Sequence, residues 1–540
     1  MFSNLRKTKK QEIITVFVLY VIFLLIGSAV FNDYGISVDE WELRLHGFSN
    51  LIYVCNIFFK ETASYLISTV TAPILSDYYG THGPIFNLST AFIEFLFKIE
   101  DSKNYYLMRH YLNNLIFVTG NFYFYLLVRQ RFNNWFYALI GAIFLFCSPR
   151  IFAESFYNHK DVVFLSLFII SLYYGILFYK KPNFKHLVFF SFTTALSIDI
   201  RIMGVIIVPL IIFLTYINHF KHNRKIIFYI LALSILLFLF TILFWPYLWS
   251  NPLVNFYKAF ATFNNFPHEG YNFYLGNYHL SSNPPWHYSL TWIFITTPLL
   301  YVSLFLLGFI LYTTMFFNNL KKFIKNEDFN QILKDESNGE DLIYYLLFVL
   351  PLFLVIILNS TLYTGWRHLY FVYPSLLIFS INGYIAIKSK LFKSKSLLIN
   401  LIIFILLTQI TFTMYKFHPY QNAYFNLLAG KKPQNNFEVD YWGLSNKQAF
   451  EYILKNNNME IINIGSGGPI SLANSLKILN SSDRKKIKVS ENTNADFIIN
   501  NHINWHGEYV KPRHKIPRNF KIYKEIFVDK IRIVSIYKKI

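Results

Sequence analysis

Two adjacent carboxylates, Asp39 and Glu40, stand in the stretch FNDYGISVDEWELRLHG (31–47), directly after an apolar run long enough to cross a bilayer. A carboxylate placed there can take a proton from a hydroxyl, the act of a general base. Cations recur further along. Arg109 opens a later apolar run, Lys160 lies in SPRIFAESFYNHKD (148–161), Arg201 in SIDIRIMG (197–204) and Arg367 in YTGWRHLYFVYP (363–374). Guanidinium binds phosphate oxygens through a two-pronged fork, so such groups at a membrane surface suit a lipid-linked phosphate. His82 of YYGTHGP (78–84), His159, Asp161 and His368 could position a sugar or an acceptor beside it. One reaction uses all of them. An acceptor hydroxyl, deprotonated by Asp39 with Glu40 in support, attacks a sugar carbon while the phosphate leaves in the grip of Arg109, Lys160, Arg201 and Arg367. The departing phosphate is already a stable anion and needs little help from an acid.

Each residue also has a plainer reading. Adjacent carboxylates after a span are ordinarily solvated, and Asp161 can cap a helix. Arg109 and Arg201 can snorkel to headgroups, and Arg367 and His368 can anchor an interface beside Trp366 and Tyr370. What favours the functional reading is recurrence. Ionisable groups near membrane depth are costly and mark functional sites, and these fall in six separate segments.

The elements that must position them are membrane helices. The chain has 540 residues, 54% hydrophobic and 20% aromatic, with a mean hydropathy of +0.34. Stretches such as IIFYILALSILLFLFTILFW (226–245) reach the about 20 apolar residues that cross the hydrocarbon layer. Basic loops stay in the cytoplasm. The N-terminus, VRQRFNN (128–134), YKKPNFKH (179–186), FKHNRK (220–225), NNLKKFIKNEDF (318–329) and KSKLFKSKS (388–396) therefore belong on one side. That parity makes GPIFNLSTAFIEFLFKI (83–99) an interfacial helix and splits the apolar run 187–219 at SIDIRIMG. The expected protein is all-α and polytopic, with about eleven transmembrane helices. Its N-terminus is inside, its polar motifs are gathered outside, and the first external loop spans 32–104.

Residues 416–540 hold 20 Lys+Arg against 10 Asp+Glu, a surplus of ten within a chain total of +20. Strand-like EIINIG, ADFIIN and IRIVSIYK alternate there with an amphipathic SNKQAFEYILK, so a small exported α/β module is expected, following a membrane domain over 1–415. Two cysteines, Cys55 and Cys147, exclude a disulfide framework or a cysteine metal site. GSGGP (465–469) lacks the spacing of a dinucleotide loop. No metal ligand set and no cofactor are legible, with a divalent cation left open, and a nucleic-acid partner is not expected.

The acidic pair after the first span, THGP opening a juxtamembrane helix, an Arg starting the next span, and SPRIFAESFYNHKD together resemble the GT-C glycosyltransferases of the protein O-mannosyltransferase and aminoarabinose transferase type. The resemblance runs over roughly 10–380 and is strongest through the first 205 residues. It implies a GT-C fold, a polyprenyl-phosphate sugar donor, and inverting transfer to a protein, lipid or glycan acceptor at the outer face of a bacterial inner membrane. It also places the catalytic acidic residue on Asp39, with Glu40 its neighbour, and the span-opening arginine on Arg109. The tail, with FHPYQNAYFNLLAG and FEVDYWGLSNKQA, resembles those of uncharacterised bacterial members. Two rival classes remain at this stage. A transporter or flippase of lipid-linked sugars would also collect cations near lipid phosphate, and a membrane scaffold would carry external charges without convergence.

Overall fold

The computed structural model describes residues 2–220, 223–264, 270–326, 336–391 and 393–540. Parts of the basic loops at 220–225 and 318–329 lie outside these residues. Among the described residues, eight helices are long and apolar enough to span a membrane, or nine when the bent pair Trp135–Phe146 and Pro149–Tyr157 is taken as one span. Eleven crossings were expected. The helices Ser102–Phe132 and Phe184–Ile200 fall outside the eight yet pack against Asp161–Lys180. The first carries Arg109, His110, Asn113, Asn114 and Asn121 along one buried face, and the second has only 17 residues. Hydropathy alone undercounts helices whose polar residues face protein.

The break expected at SIDIRIMG is present. Phe184–Ile200 ends there, a short 3-10 turn covers Ile202–Ile206, and Ile207–His219 follows. The chain doubles back so closely that a Cβ on Gly204 would lie 2.8 Å from the Ile198 amide nitrogen. The 83–99 stretch forms the short helix Ile85–Leu96, packed on Glu40–Phe58. Gly83 seats it against the break, because a Cβ there would fall 1.7 Å from the Asp199 carbonyl oxygen. The Asp199 side chain in turn accepts the Ile85 amide at 2.7 Å.

Beyond the helix Ser396–Phe417, the chain forms the helix Asn446–Lys455 and a five-stranded mixed sheet. Ile462–Ser466 lies between and parallel to Ile487–Val489 and the central Phe497–Asn500; Ile531–Lys539 then pairs antiparallel with both Phe497–Asn500 and Phe520–Val528. Three strands and the helix fall where the alternation placed them. Ile487–Val489 has three residues and Phe520–Val528 is mostly solvent-facing, so neither shows an apolar rhythm. A hairpin, Tyr271–Tyr274 with Asn277–Leu280, joins the two parts through a bridge between Tyr274 and Phe437. Cys55 and Cys147 are buried free thiols.

Candidate active site

Asp39 occupies the N-cap position of Glu40–Phe58 without making a capping bond, so its carboxylate is free to face outward. It is 41% exposed, and its Oδ2 accepts a hydrogen bond from Arg367 Nη1 at 2.7 Å. Arg367 begins the 3-10 turn that precedes Tyr373–Ala386, and its guanidinium also lies 3.8 Å from Asp161 Oδ2. Asp161, the first residue of its helix, takes a direct hydrogen bond from Arg201 at the helix break. Four segments far apart in sequence thus meet in one alternating cluster of two carboxylates and two guanidiniums.

Lys160 completes the group. Burial and the nearby Arg201 bring its ammonium down to about 7, against the opposing pull of Asp161 and Asp39. His82 sits near enough that Lys160 and burial hold its imidazole well below the ordinary histidine range. Its carbonyl accepts a hydrogen bond from His46, whose imidazole burial and Lys160 lower to about 4. His368 packs edge-on against Tyr363 at 4.6 Å, and Tyr363 lies under the Arg367 guanidinium. Asp39, His82, Lys160, Asp161, Arg201, Arg367 and His368 therefore gather where the sequence placed them.

Three residues do not. Arg109 is fully buried and donates to Glu94 Oε2 at 2.5 Å and to the Tyr105 carbonyl. Glu94 also takes Arg44, so Arg109 belongs to a closed ion cluster and not to the exposed group. Reading it as a snorkelling or phosphate-facing residue overlooked Glu94, half a turn before the end of an apolar helix. Glu40 and His159 are likewise fully enclosed. Glu40 Oε2 accepts the Ser37 amide at 2.6 Å, while Oε1 faces His110 Nε2 at 2.8 Å and His159 Nε2 at 3.3 Å. Adjacent in sequence, Asp39 and Glu40 diverge because one is the cap and the other begins the helix.

Glu40, His110 and His159 bring one ligand atom each within 4.8 Å of one another, a donor set of the kind zinc accepts. The spacing 40–110–159 hides it from any motif search. Nearby charge and burial also act on this set. Arg109 already bears on His159, which burial, His110 and Arg109 together hold well below its ordinary range. As it stands, Glu40 accepts hydrogen bonds that fix the turn preceding Asp39.

The sequence reading missed one wall of the site altogether. Trp442 lies under Arg367, 4.7 Å from guanidinium carbon to ring centroid. Tyr441 and Trp442 reach Glu154, which no charge pattern had distinguished, at 3.1 Å each. The available signal was DYWG in the tail, an aromatic pair followed by a glycine at φ +75°.

Comparison with known proteins fits this geometry. Residues 84–245 match the family of dolichyl-phosphate-mannose-protein mannosyltransferases. No curated protein sequence matches the chain. The fold matches apo ArnT from Cupriavidus metallidurans with a TM-score of 0.50 at 11% identity, covering 98% of each chain. The same protein bound to undecaprenyl phosphate gives 0.48 at 12% identity over 97% of this chain and 98% of that one. The oligosaccharyltransferase of Archaeoglobus fulgidus gives 0.46 at 11% identity, covering 88% of this chain and 65% of that one. The overall fold is thus similar to that of ArnT, and residues 84–245 are similar to the mannosyltransferase family. The NHKD segment and Arg109 lie within the matched region, whereas the acidic pair and all of THGP but Pro84 precede it.

Proposed function

We propose that this chain is a glycosyltransferase that moves a sugar from a polyprenyl phosphate to an acceptor hydroxyl, with inversion, at the outer face of a bacterial inner membrane. The observation that carries it is the convergence of Asp39, Lys160, Asp161, Arg201 and Arg367. The cluster has a partly exposed carboxylate for the acceptor and cations for a phosphate. Lys160 is the cation best placed to gain from an anion, since it is half-buried and makes no direct ion pair to Asp39 or Asp161 among the described residues. A donor phosphate drawing on Lys160, Arg201 and Arg367 loosens the Arg367 hold on Asp39. Asp39 Oδ2 then accepts the acceptor's proton as the oxygen attacks the anomeric carbon and the C–O bond to phosphate breaks. His82, held neutral by Lys160 and burial, and His368 flank the site as hydrogen-bonding groups for sugar or acceptor. Arg109, Glu40 and His159 serve behind it, and no step requires a metal.

On this reading residues 1–415 form the catalytic membrane domain and 416–540 an external module. The test is purified protein with a panel of undecaprenyl-phosphate-linked hexoses and aminopentoses, following release of undecaprenyl phosphate. Turnover of one donor, abolished by Asp39→Asn, supports the reading. Transport of lipid-linked sugar across vesicles without cleavage replaces it with the flippase alternative. Reporter fusions after residue 415 and within 388–396 should report opposite sides of the membrane.

A further inference from the structure

The tail segment Asp440–Leu444 is threaded into the membrane part of the molecule and reaches Arg367 directly, the Asp39 loop through Val38, and Asp161 through Glu154 and Asn158. The Trp442 ring lies under Arg367. The Trp442 carbonyl accepts the amide of Val38, the residue before Asp39, at 3.1 Å. Its indole Nε1 donates to Glu154 Oε1. Glu154 Oε2 takes Asn158 Nδ2 at 2.8 Å, and that same amide donates to Asp161 Oδ2 at 3.0 Å. One residue is thereby tied to the base, to the shared carboxylate and to the guanidinium that bridges them.

The segment is built to hold that position. Asp440 accepts the Leu444 amide at 3.2 Å and the Ser445 amide at 3.0 Å, closing the turn, and Gly443 at φ +75° supplies the left-handed backbone. Gly35 lies so close to Leu444 that a Cβ would stand 2.5 Å from its carbonyl oxygen. Arg150 donates to the Tyr441 hydroxyl at 2.8 Å, and that hydroxyl donates to Glu154. Trp442 is 1% exposed and Tyr441 fully buried. A tail that merely rested on the membrane domain would need none of these bonds.

We propose that Trp442 is a positioning residue of the active site, holding Arg367 and the Asp39 loop in register for transfer, so that the tail is part of the catalytic apparatus. The proposal rests on the glycosyltransferase reading and assigns the DYWG motif a role. A cation over an aromatic face is attracted by the ring's quadrupole, and indole binds best. Benzene rings retain part of that attraction; alkyl groups of similar bulk retain none.

The test compares Trp442→Phe, Trp442→Leu and Tyr441→Phe in the full-length protein, with kcat and KM for the undecaprenyl-phosphate sugar that the wild type uses and a melting curve for each. Trp442→Leu should lower kcat by about 30-fold and Trp442→Phe by about 3-fold, a rescue that follows the π face and not the volume. Tyr441→Phe removes one hydroxyl, keeps the fold, and should lower kcat by about 3-fold through Glu154. If the leucine variant melts with the wild type and matches its kcat, Trp442 is packing only. Should it fail to fold, equal kcat in Trp442→Phe, Tyr441→Phe and wild type overturns the proposal in the same way. A wild type that turns over no donor removes the glycosyltransferase reading itself, and this inference with it.

Discussion

Two carboxylates in this protein are each shared by two arginines. Glu94 takes Arg44 and Arg109, and Asp161 takes Arg201 and, at 3.8 Å, Arg367. The stoichiometry is the same and the setting is not. Around Glu94 the ion group closes on itself: Arg109 is fully buried, and Arg44, with 17% of its side chain exposed, lies against Phe48 and Tyr105. Around Asp161 the group continues outward to Lys160 and to Asp39, 41% exposed. Charge counts cannot separate the two; access can. A closed pair holds helices together, whereas an open one leaves charge available to a ligand.

The sharpest way to break the comparison is Asp39→Asn, which keeps shape and removes basicity. It should lower turnover by about 10²- to 10⁴-fold, the contribution of a positioned general base, with donor binding retained in an equilibrium assay. Full turnover would reduce the open cluster to another structural ion group. Next comes Glu94→Gln, which strands two guanidiniums on a neutral amide. Removing one partner of a buried ion pair costs about 3–5 kcal/mol, so the melting temperature should drop steeply. kcat per folded molecule should hold. Lost kcat at unchanged stability would show that the closed cluster also serves the reaction.

Arg201→Lys retains charge but not the fork, and should raise KM for the donor by about tenfold, one charge-assisted hydrogen bond, with the melting curve unmoved. An unchanged KM in both Arg201→Lys and Arg201→Ala would make Arg201 a clamp on Asp161 alone. The smallest effect is in pH. Lys160 titrates near 7 in the free site, and a bound phosphate raises that value. Its contribution to donor affinity is therefore complete below pH 7 and fades as pH rises through the higher value of the complex, by at most about tenfold per unit. Lys160→Gln should flatten that limb, and a slope that persists in the variant would assign it elsewhere.

Much of this was legible because it is written in local patterns. The apolar runs, the break at SIDIRIMG and three of the five sheet strands follow from periodicity and charge. Seven of the ten site residues fell together because ionisable groups beside spans have few places to go. What was illegible depends on partners distant in the chain. Nothing about Arg109 announces Glu94, and nothing about Glu40 announces His110 and His159. The one-residue phase between Asp39 and Glu40 decides which faces out, and only the helix start fixes that phase. Trp442 lay hidden for a different cause, since an aromatic in a tail reads as core of that tail until the fold shows what it covers.

The threading of the tail also sets an order of events during synthesis. Asp39 leaves the ribosome first, then Lys160 and Asp161, then Arg201 and Arg367, and Trp442 follows every one of them and the last apolar helix, Ser396–Phe417. A nascent chain with all its spans inserted has its acids and bases in place while the face beneath Arg367 is still missing. The arrangement around Arg367 is therefore complete only once residues 418–540, which follow the helix end at Phe417, have been made and folded back against the membrane helices.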